Sequence, residues 1–292
     1  MKLQRLAVIG VGLIGGSLAR ALRTAGAVEE IVGAGRRIEH LQQAVDLGVI
    51  DRAAVSVADA VRGADAVVLA VPVAGMEAVL RECAGAVSPQ VVLTDVGSVK
   101  GSVIRAARET LGPVFGRFVP GHPVAGTERS GVAASFAGLF EDHKIILTPE
   151  PDTDRDAVDT VRALWEQAGG QVVEMGAAHH DRVLAACSHL PHVLAYTLVD
   201  MLVRRDDHRE IFEYAAGGFR DFTRIASSDP DMWRDICLAN REPLLALLKQ
   251  YRLDLKRLMD AVEKGDARAL HDTFQRAKHA RDRYTDPKKK AP

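Results

Sequence analysis

A four-residue apolar run, Leu6-Ala7-Val8-Ile9, leads directly into Gly10-Val11-Gly12-Leu13-Ile14-Gly15, and a helix-length apolar stretch follows through Leu22. Glycine at this spacing, after a strand and before a helix, leaves few folds open. Gly10 permits the tight turn, and Gly12 lets a pyrophosphate approach the unpaired N–H groups at the helix N-terminus. Gly15 allows the helix to pack closely on the strand. The segment predicts a dinucleotide site in which Gly10, Gly12, Leu13, Ile14 and Gly15 contact the cofactor.

Further apolar runs alternate with amphipathic stretches: Ile31-Val32-Gly33, Ala66 to Val71, Val91 to Thr94 and Lys144 to Leu147. This alternation argues for an α/β fold, a Rossmann-type doubly wound, mostly parallel sheet with helices on both faces. One more unit follows, a helix around Asp154 to Ala168 and a strand at Gln171 to Glu174. Past Met175 the strand signal fades into 3.6-period segments, so an all-α C-terminal domain is expected. The boundary is placed near residue 175, with a dinucleotide-binding domain over 1–175 and a helical substrate-binding and dimerisation domain over 176–292. Between Pro243 and Val262, residues Leu244, Leu247, Leu248, Tyr251, Leu255, Leu258, Met259 and Val262 form one broad apolar stripe. A stripe of that length is core or an interface, and the interface reading makes the protein a homodimer.

The 292 residues are 47% apolar with a formal charge of −1, enough for a sizeable core and without the basic footprint of a nucleic-acid binder. The one basic run, Lys288-Lys289-Lys290, reads as a solvated tail. Cys83, Cys187 and Cys237 are odd in number and far apart, so neither a disulfide framework nor a metal site is expected. No apolar run approaches membrane-spanning length, and the N-terminus enters a strand too soon for a signal peptide. A cytoplasmic location is expected, with a small molecule as the binding partner.

At the end of the second strand an NAD site usually places an acid against the ribose 2′-hydroxyl, but the chain reads Gly33-Ala34-Gly35-Arg36-Arg37. Two guanidinium groups there complement a 2′-phosphate, so Arg36 and Arg37 favour NADP, with NAD possible if Arg36 merely stacks on adenine. Val71, Pro72 and Asp95 follow or end predicted strands and are expected to line the cofactor cleft. Ser98 is open to two readings, a helix cap or a contact to nicotinamide or substrate. Lys100 is likewise a cleft residue or a solvated charge on the helix surface.

His122, between Gly121 and Pro123 at a predicted strand end, suits a general base, because neutral imidazole has the right intrinsic pKa to accept a hydroxyl proton. Taken together, the glycine turn, Asp95-Val96-Gly97-Ser98-Val99-Lys100, Gly121-His122-Pro123-Val124-Ala125-Gly126-Thr127-Glu128, His180-Asp181, Ser188-His189-Leu190-Pro191-His192 and Gly218-Phe219-Arg220-Asp221-Phe222-Thr223-Arg224 carry a resemblance. In this order they resemble the prephenate/arogenate dehydrogenase family over nearly the whole length.

The resemblance implies oxidative decarboxylation of a cyclohexadienol, prephenate or arogenate, with hydride transfer to NAD(P), in tyrosine biosynthesis. It implies that His122 accepts the C4-hydroxyl proton with Ser98 assisting, and that Arg224 binds a substrate carboxylate. His180 and His192 would face the substrate, Glu128 and Asp221 would steer Arg224 through an ionic network, and His189 reads as structural. Trp233 is either a cover over the substrate or a core residue. Two other readings are a 3-hydroxyacid dehydrogenase of similar build and a dinucleotide-sensing module without chemistry. The first needs a catalytic lysine in the stretch His179 to Arg205, which has none.

Overall fold

The computed structural model describes residues 2–127 and 129–284. Its first sheet is built from β1 (Leu3–Ile9), β2 (Val28–Ala34), β3 (Arg52–Ala53), β4 (Ala66–Leu69), β5 (Val92–Asp95) and β6 (Phe118–Val119). The strands run parallel in the order β3-β2-β1-β4-β5-β6, the doubly wound arrangement expected from the alternating runs. Five helices connect them: α1 (Leu13–Thr24), α2 (Ile38–Asp46), α3 (Val57–Val61), α4 (Met76–Ala84) and α5 (Gly101–Thr110). The order reverses between β1 and β4, and the crevice beyond their carboxyl ends is where such sheets hold ligands.

Alternation along each strand feeds two cores. Leu6 and Val8 of β1 join Ile31, Val68 and Leu18 on one face, whereas Ala7 and Ile9 join Val32, Leu69, Leu80 and Ile104 on the other. Because both faces are covered, the central strands carry continuous apolar runs, Leu6–Ile9 in β1 and all of β4. At about 25 cal/mol per Å² of apolar surface removed from water, each fully buried Leu or Ile here contributes roughly 1.5–3 kcal/mol.

The sequence reading extends the parallel sheet to Lys144 and beyond, and here the structure differs. A second sheet of β7 (Gly121–Pro123), β8 (Lys144–Leu147) and β9 (Gln171–Glu174) pairs β7 antiparallel and β9 parallel to β8. Pro120 has no N–H to continue a ladder, so pairing on β5 stops at Val119 and the chain takes β8 as its new neighbour. Between β8 and β9, α6 (Arg155–Gln167) packs Val158, Val161, Leu164 and Trp165 into the first core.

Beyond β9 the chain is helical: α7 (Ala177–Leu184), a π turn (Ala185–His189), α8 (Leu190–Val203), α9 (His208–Glu213), α10 (Gly217–Thr223), α11 (Pro230–Ala239), α12 (Arg241–Glu263) and α13 (Ala267–Tyr284). Two compact units result, Met1–Pro243 and Leu244–Pro292. In the second, half of the α12 stripe is exposed, with Tyr251, Leu255, Met259 and Val262 at 41, 44, 62 and 63% exposure, whereas Leu244 is buried. Among the described residues no helix is long and apolar enough to cross a membrane. The lysines at 288–290 lie outside the described residues.

Candidate active site

The glycine turn fits a dinucleotide. Gly10 sits at φ +97°, and a Cβ there would lie 2.3 Å from the Ala70 carbonyl oxygen. A Cβ on Gly15 would lie 2.3 Å from the Gly10 carbonyl oxygen and 3.0 Å from Val8. At Gly12, the N-cap of α1, nothing stands within 4 Å of the same position, and the first turn carries no acid and no side-chain cap. The α1 amides are thus open to an anion. Leu13 and Ile14 pack partly buried against the core, Val71 stands beside Gly10, and Pro72 is exposed. Arg36 and Arg37 are exposed just past β2, with Glu39 in the first turn of α2.

His122 lies in β7 opposite Ile146, which holds its backbone in register while leaving the ring only 7% exposed. Its Nδ1 is 2.8 Å from Nε2 of His180, a fully buried residue of α7. The other nitrogen of His180, Nδ1, is 2.8 Å from Asp181 Oδ1. Asp181 also accepts the backbone N–H groups of Lys100 at 2.8 Å and Gly101 at 2.9 Å, and so caps the N-terminus of α5. Burial pushes the Asp181 carboxyl up, but the bonds from His180, Lys100 and Gly101 outweigh it and hold it below the usual carboxylate range.

The protonation pattern follows from that carboxylate. His180 donates Nδ1–H to Asp181, so its Nε2 accepts, and His122 must donate Nδ1–H to it. Nε2 of His122 is left with a lone pair and no partner among the described residues. Burial, then His180, Lys100 and His189, drive the His122 pKa well below 6.5. The ring is a neutral base at physiological pH.

Behind this chain stands a buried ion pair. Lys100 is fully enclosed and donates from Nζ to Asp95 Oδ2 and to the Gly121 carbonyl oxygen, both at 2.5 Å. Asp95 also accepts the N–H groups of Gly97 at 2.7 Å and Gly121 at 3.1 Å. Two expectations change as a result. Lys100 is not a surface charge, and Asp95 does not present its carboxylate to the cofactor cleft, because it is fully buried and turned onto these three donors. The pair ties the end of β5 and the 97–100 turn to the residue preceding His122.

Ser98 is half-buried and makes no capping bond. Asp181 supplies the α5 cap from another element, so the capping reading of Ser98 is set aside. His192 stacks on Trp233 with ring centroids 3.6 Å apart and its Nδ1 2.8 Å from the Ser188 carbonyl, while Trp233 packs with Val99 and Ile236. His189 is 1% exposed, with Nδ1 3.0 Å from the amide nitrogen of Asn240. The π turn matters here. On a regular helix, nine residues at 3.6 per turn would set His180 and His189 about 180° apart, and the wider turn ahead of Pro191 takes up part of that rotation so that both rings are buried.

Arg224 follows α10 and is exposed. The expected partner Asp221 is exposed and makes no ion pair among the described residues, so it does not steer Arg224 in this structure. Glu128 lies outside the described residues. Sequence reasoning missed the roles of Asp181, Asn240 and the Lys100–Asp95 pair. The only signal for the first was its place beside His180.

Comparisons with known proteins place the chain in a family. The family model for the prephenate dehydrogenase nucleotide-binding domain matches residues 18–174, and that for the prephenate dehydrogenase dimerization domain matches 176–276. A cyclohexadienyl dehydrogenase of Zymomonas mobilis is 40% identical over 282 residues, 95% of each chain. A prephenate dehydrogenase of Bacillus subtilis is 39% identical over 275 residues, 94% of this chain and 74% of that one. Among solved structures, prephenate dehydrogenase from Aquifex aeolicus in complex with hydroxyphenyl propionate and NAD+ superposes with a TM-score of 0.89 at 38% identity. That match covers 96% of this chain and 98% of that one. Matched over both halves and by relatives near 40% identity along almost its full length, the chain belongs to the prephenate dehydrogenase family of NAD(P)-linked oxidoreductases.

Proposed function

We propose that the chain catalyses the oxidative decarboxylation of prephenate and/or arogenate to 4-hydroxyphenylpyruvate and/or tyrosine. The observation that carries this reading is the Asp181–His180–His122 chain, which fixes one histidine tautomer and leaves a neutral, unpartnered Nε2 as base. Dehydrogenation of a carbinol needs its hydroxyl proton removed, and His122 Nε2 is the group for that proton. As it takes the proton, the charge is shared toward His180 and balanced by Asp181. Ser98 orients the hydroxyl, and Arg224 offers a planar fork of donors to a substrate carboxylate. His180 and His192, with Glu128 and Asp221, complete the substrate pocket.

Gly10, Gly12, Leu13, Ile14 and Gly15 would hold the dinucleotide against α1, with Val71 and Pro72 as its wall. When bound, it supplies the hydride acceptor. Arg36 and Arg37 favour NADP, since no acid occupies the end of β2. The helical region from about residue 176 forms a homodimer through the exposed residues of the α12 stripe, and the protein works in the cytoplasm.

The test crosses prephenate and arogenate with NADP and NAD on the purified protein. Turnover of at least one substrate, faster with NADP, is expected. Failure with all four pairs overturns the reading. An unchanged NADP/NAD ratio in Arg36→Ala removes the 2′-phosphate role.

A further inference from the structure

His180 and His192 are twelve residues apart, and the π turn between them lets one helical run turn both the same way. An unbroken α-helix would point them about 120° apart. A π turn takes one extra residue into a single turn, so the twelve rotate like eleven. The two histidines then fall within roughly 20° of each other around the axis. Pro191 favours the wide turn, because it has no N–H to return to the Cys187 carbonyl and its ring crowds that oxygen.

Helix α11 grips the chain on both sides of that turn. Asn240, 2% exposed at the close of α11, donates from Nδ2 to the Asp181 carbonyl at 2.8 Å and to Nδ1 of His189 at 3.0 Å. An amide NH2 carries two hydrogens, so both acceptors are served at once. Asp181 lies before the π turn and His189 is its last residue, so one side chain spans the whole turn. Beyond it, Trp233 of the same α11 stacks on His192, with ring centroids 3.6 Å apart and 20° between the planes. Val99 and Ile236 hold Trp233 in turn. We infer that Asn240 is a positioning residue of the substrate site, which holds the π turn open and so keeps His192 on the side of His180 and His122. The inference rests on the dehydrogenase reading above, in which His192 meets the substrate. Relaxation of the turn to a regular helix would carry His192 about 100° round the axis, away from Trp233 and the cleft.

Two variants separate this role from a merely structural one. Deletion of Ala186 removes the extra residue and lets α7 run into α8 as one regular helix, with Asn240, Asp181, His180 and His122 all retained. KM for prephenate or arogenate should rise about fivefold or more, roughly what one lost hydrogen bond is worth. KM for the dinucleotide should hold, and kcat should change less than the substrate KM. Asn240→Leu removes both donations with a side chain of similar shape. Assayed well below its lowered melting temperature, it should show the same rise in substrate KM. Combining the two changes should raise substrate KM no further than either alone, because both act through one turn. A folded Ala186 deletion or Asn240→Leu protein with the wild-type substrate KM overturns the inference while leaving the reaction assigned. A deletion that cannot fold also overturns it, since a turn kept to aim His192 is dispensable for the fold. An inactive wild type overturns the reaction and the inference together.

Discussion

Asp181→Asn isolates what the carboxylate contributes to His122. In the wild type, Asp181 Oδ1 receives both His180 Nδ1–H and the Lys100 N–H, and Oδ2 receives the Gly101 N–H. An asparagine serves two of the three donors when its oxygen takes the Oδ1 place, and only the Gly101 N–H when its NH2 does. With its oxygen toward His180 the tautomers survive, and its NH2 faces Gly101. With its NH2 toward His180 the ring must accept at Nδ1, so His180 donates from Nε2 and His122 carries its hydrogen on Nε2. No base is then left. Both orientations lose the negative charge that balances a proton arriving on the histidine pair. An opposite charge at this range shifts a neighbouring pKa by about 1–3 units, so proton acceptance should weaken roughly 10- to 10³-fold. Losing one charge-assisted backbone bond and the anion at the α5 N-terminus costs about 2–4 kcal/mol. Steady-state kcat should be measured spectrophotometrically well below the melting temperature, with the folded fraction checked by circular dichroism. A folded variant with kcat within twofold of wild type would refute the relay.

Lys100→Met should destabilise the fold by about 3–5 kcal/mol in urea titrations, since it strands the Asp95 carboxylate in a dry site; the paired Asp95→Asn/Lys100→Met change should recover much of that loss. Acid should weaken the protein before its carboxylates titrate. His122, His189 and His192 have folded pKa values below 6.5, so the unfolded chain binds more protons, and stability present above pH 6.5 is lost as the pH falls toward about 4. Each such histidine contributes a slope of about 1.4 kcal/mol per pH unit within its window, and urea midpoints that match at pH 7 and pH 5 would count against their burial as neutral rings. Arg224→Ala should raise the substrate KM with little change in the KM of the dinucleotide, and a pure kcat effect would move Arg224 out of substrate binding.

Local signals carried much of the fold. The turn at Gly10 to Gly15 needs a positive φ and two close backbone approaches, and only glycine spacing announces those. The apolar runs of β1, β2, β4 and β5 announced themselves because both sheet faces are covered. What lay hidden depends on distant partners. Lys100 reads as a surface residue because the groups that bury its charge, Asp95 and the Gly121 carbonyl, come from two other elements. Asp181 reads as the neighbour of a histidine because the helix it caps begins eighty residues earlier. The second sheet was folded into the first because β8 looks like any parallel strand, and only Pro120 marks the change of partner. The π turn leaves no periodic trace beyond Pro191.

The central claim is that His122 is a neutral base held in one tautomer. Turnover of prephenate and arogenate by wild type and His122→Asn, with dinucleotide affinity measured in parallel, tests it most directly. A fall in kcat of roughly 10²- to 10⁴-fold at unchanged dinucleotide affinity is predicted. A variant that turns over near the wild-type rate would contradict it.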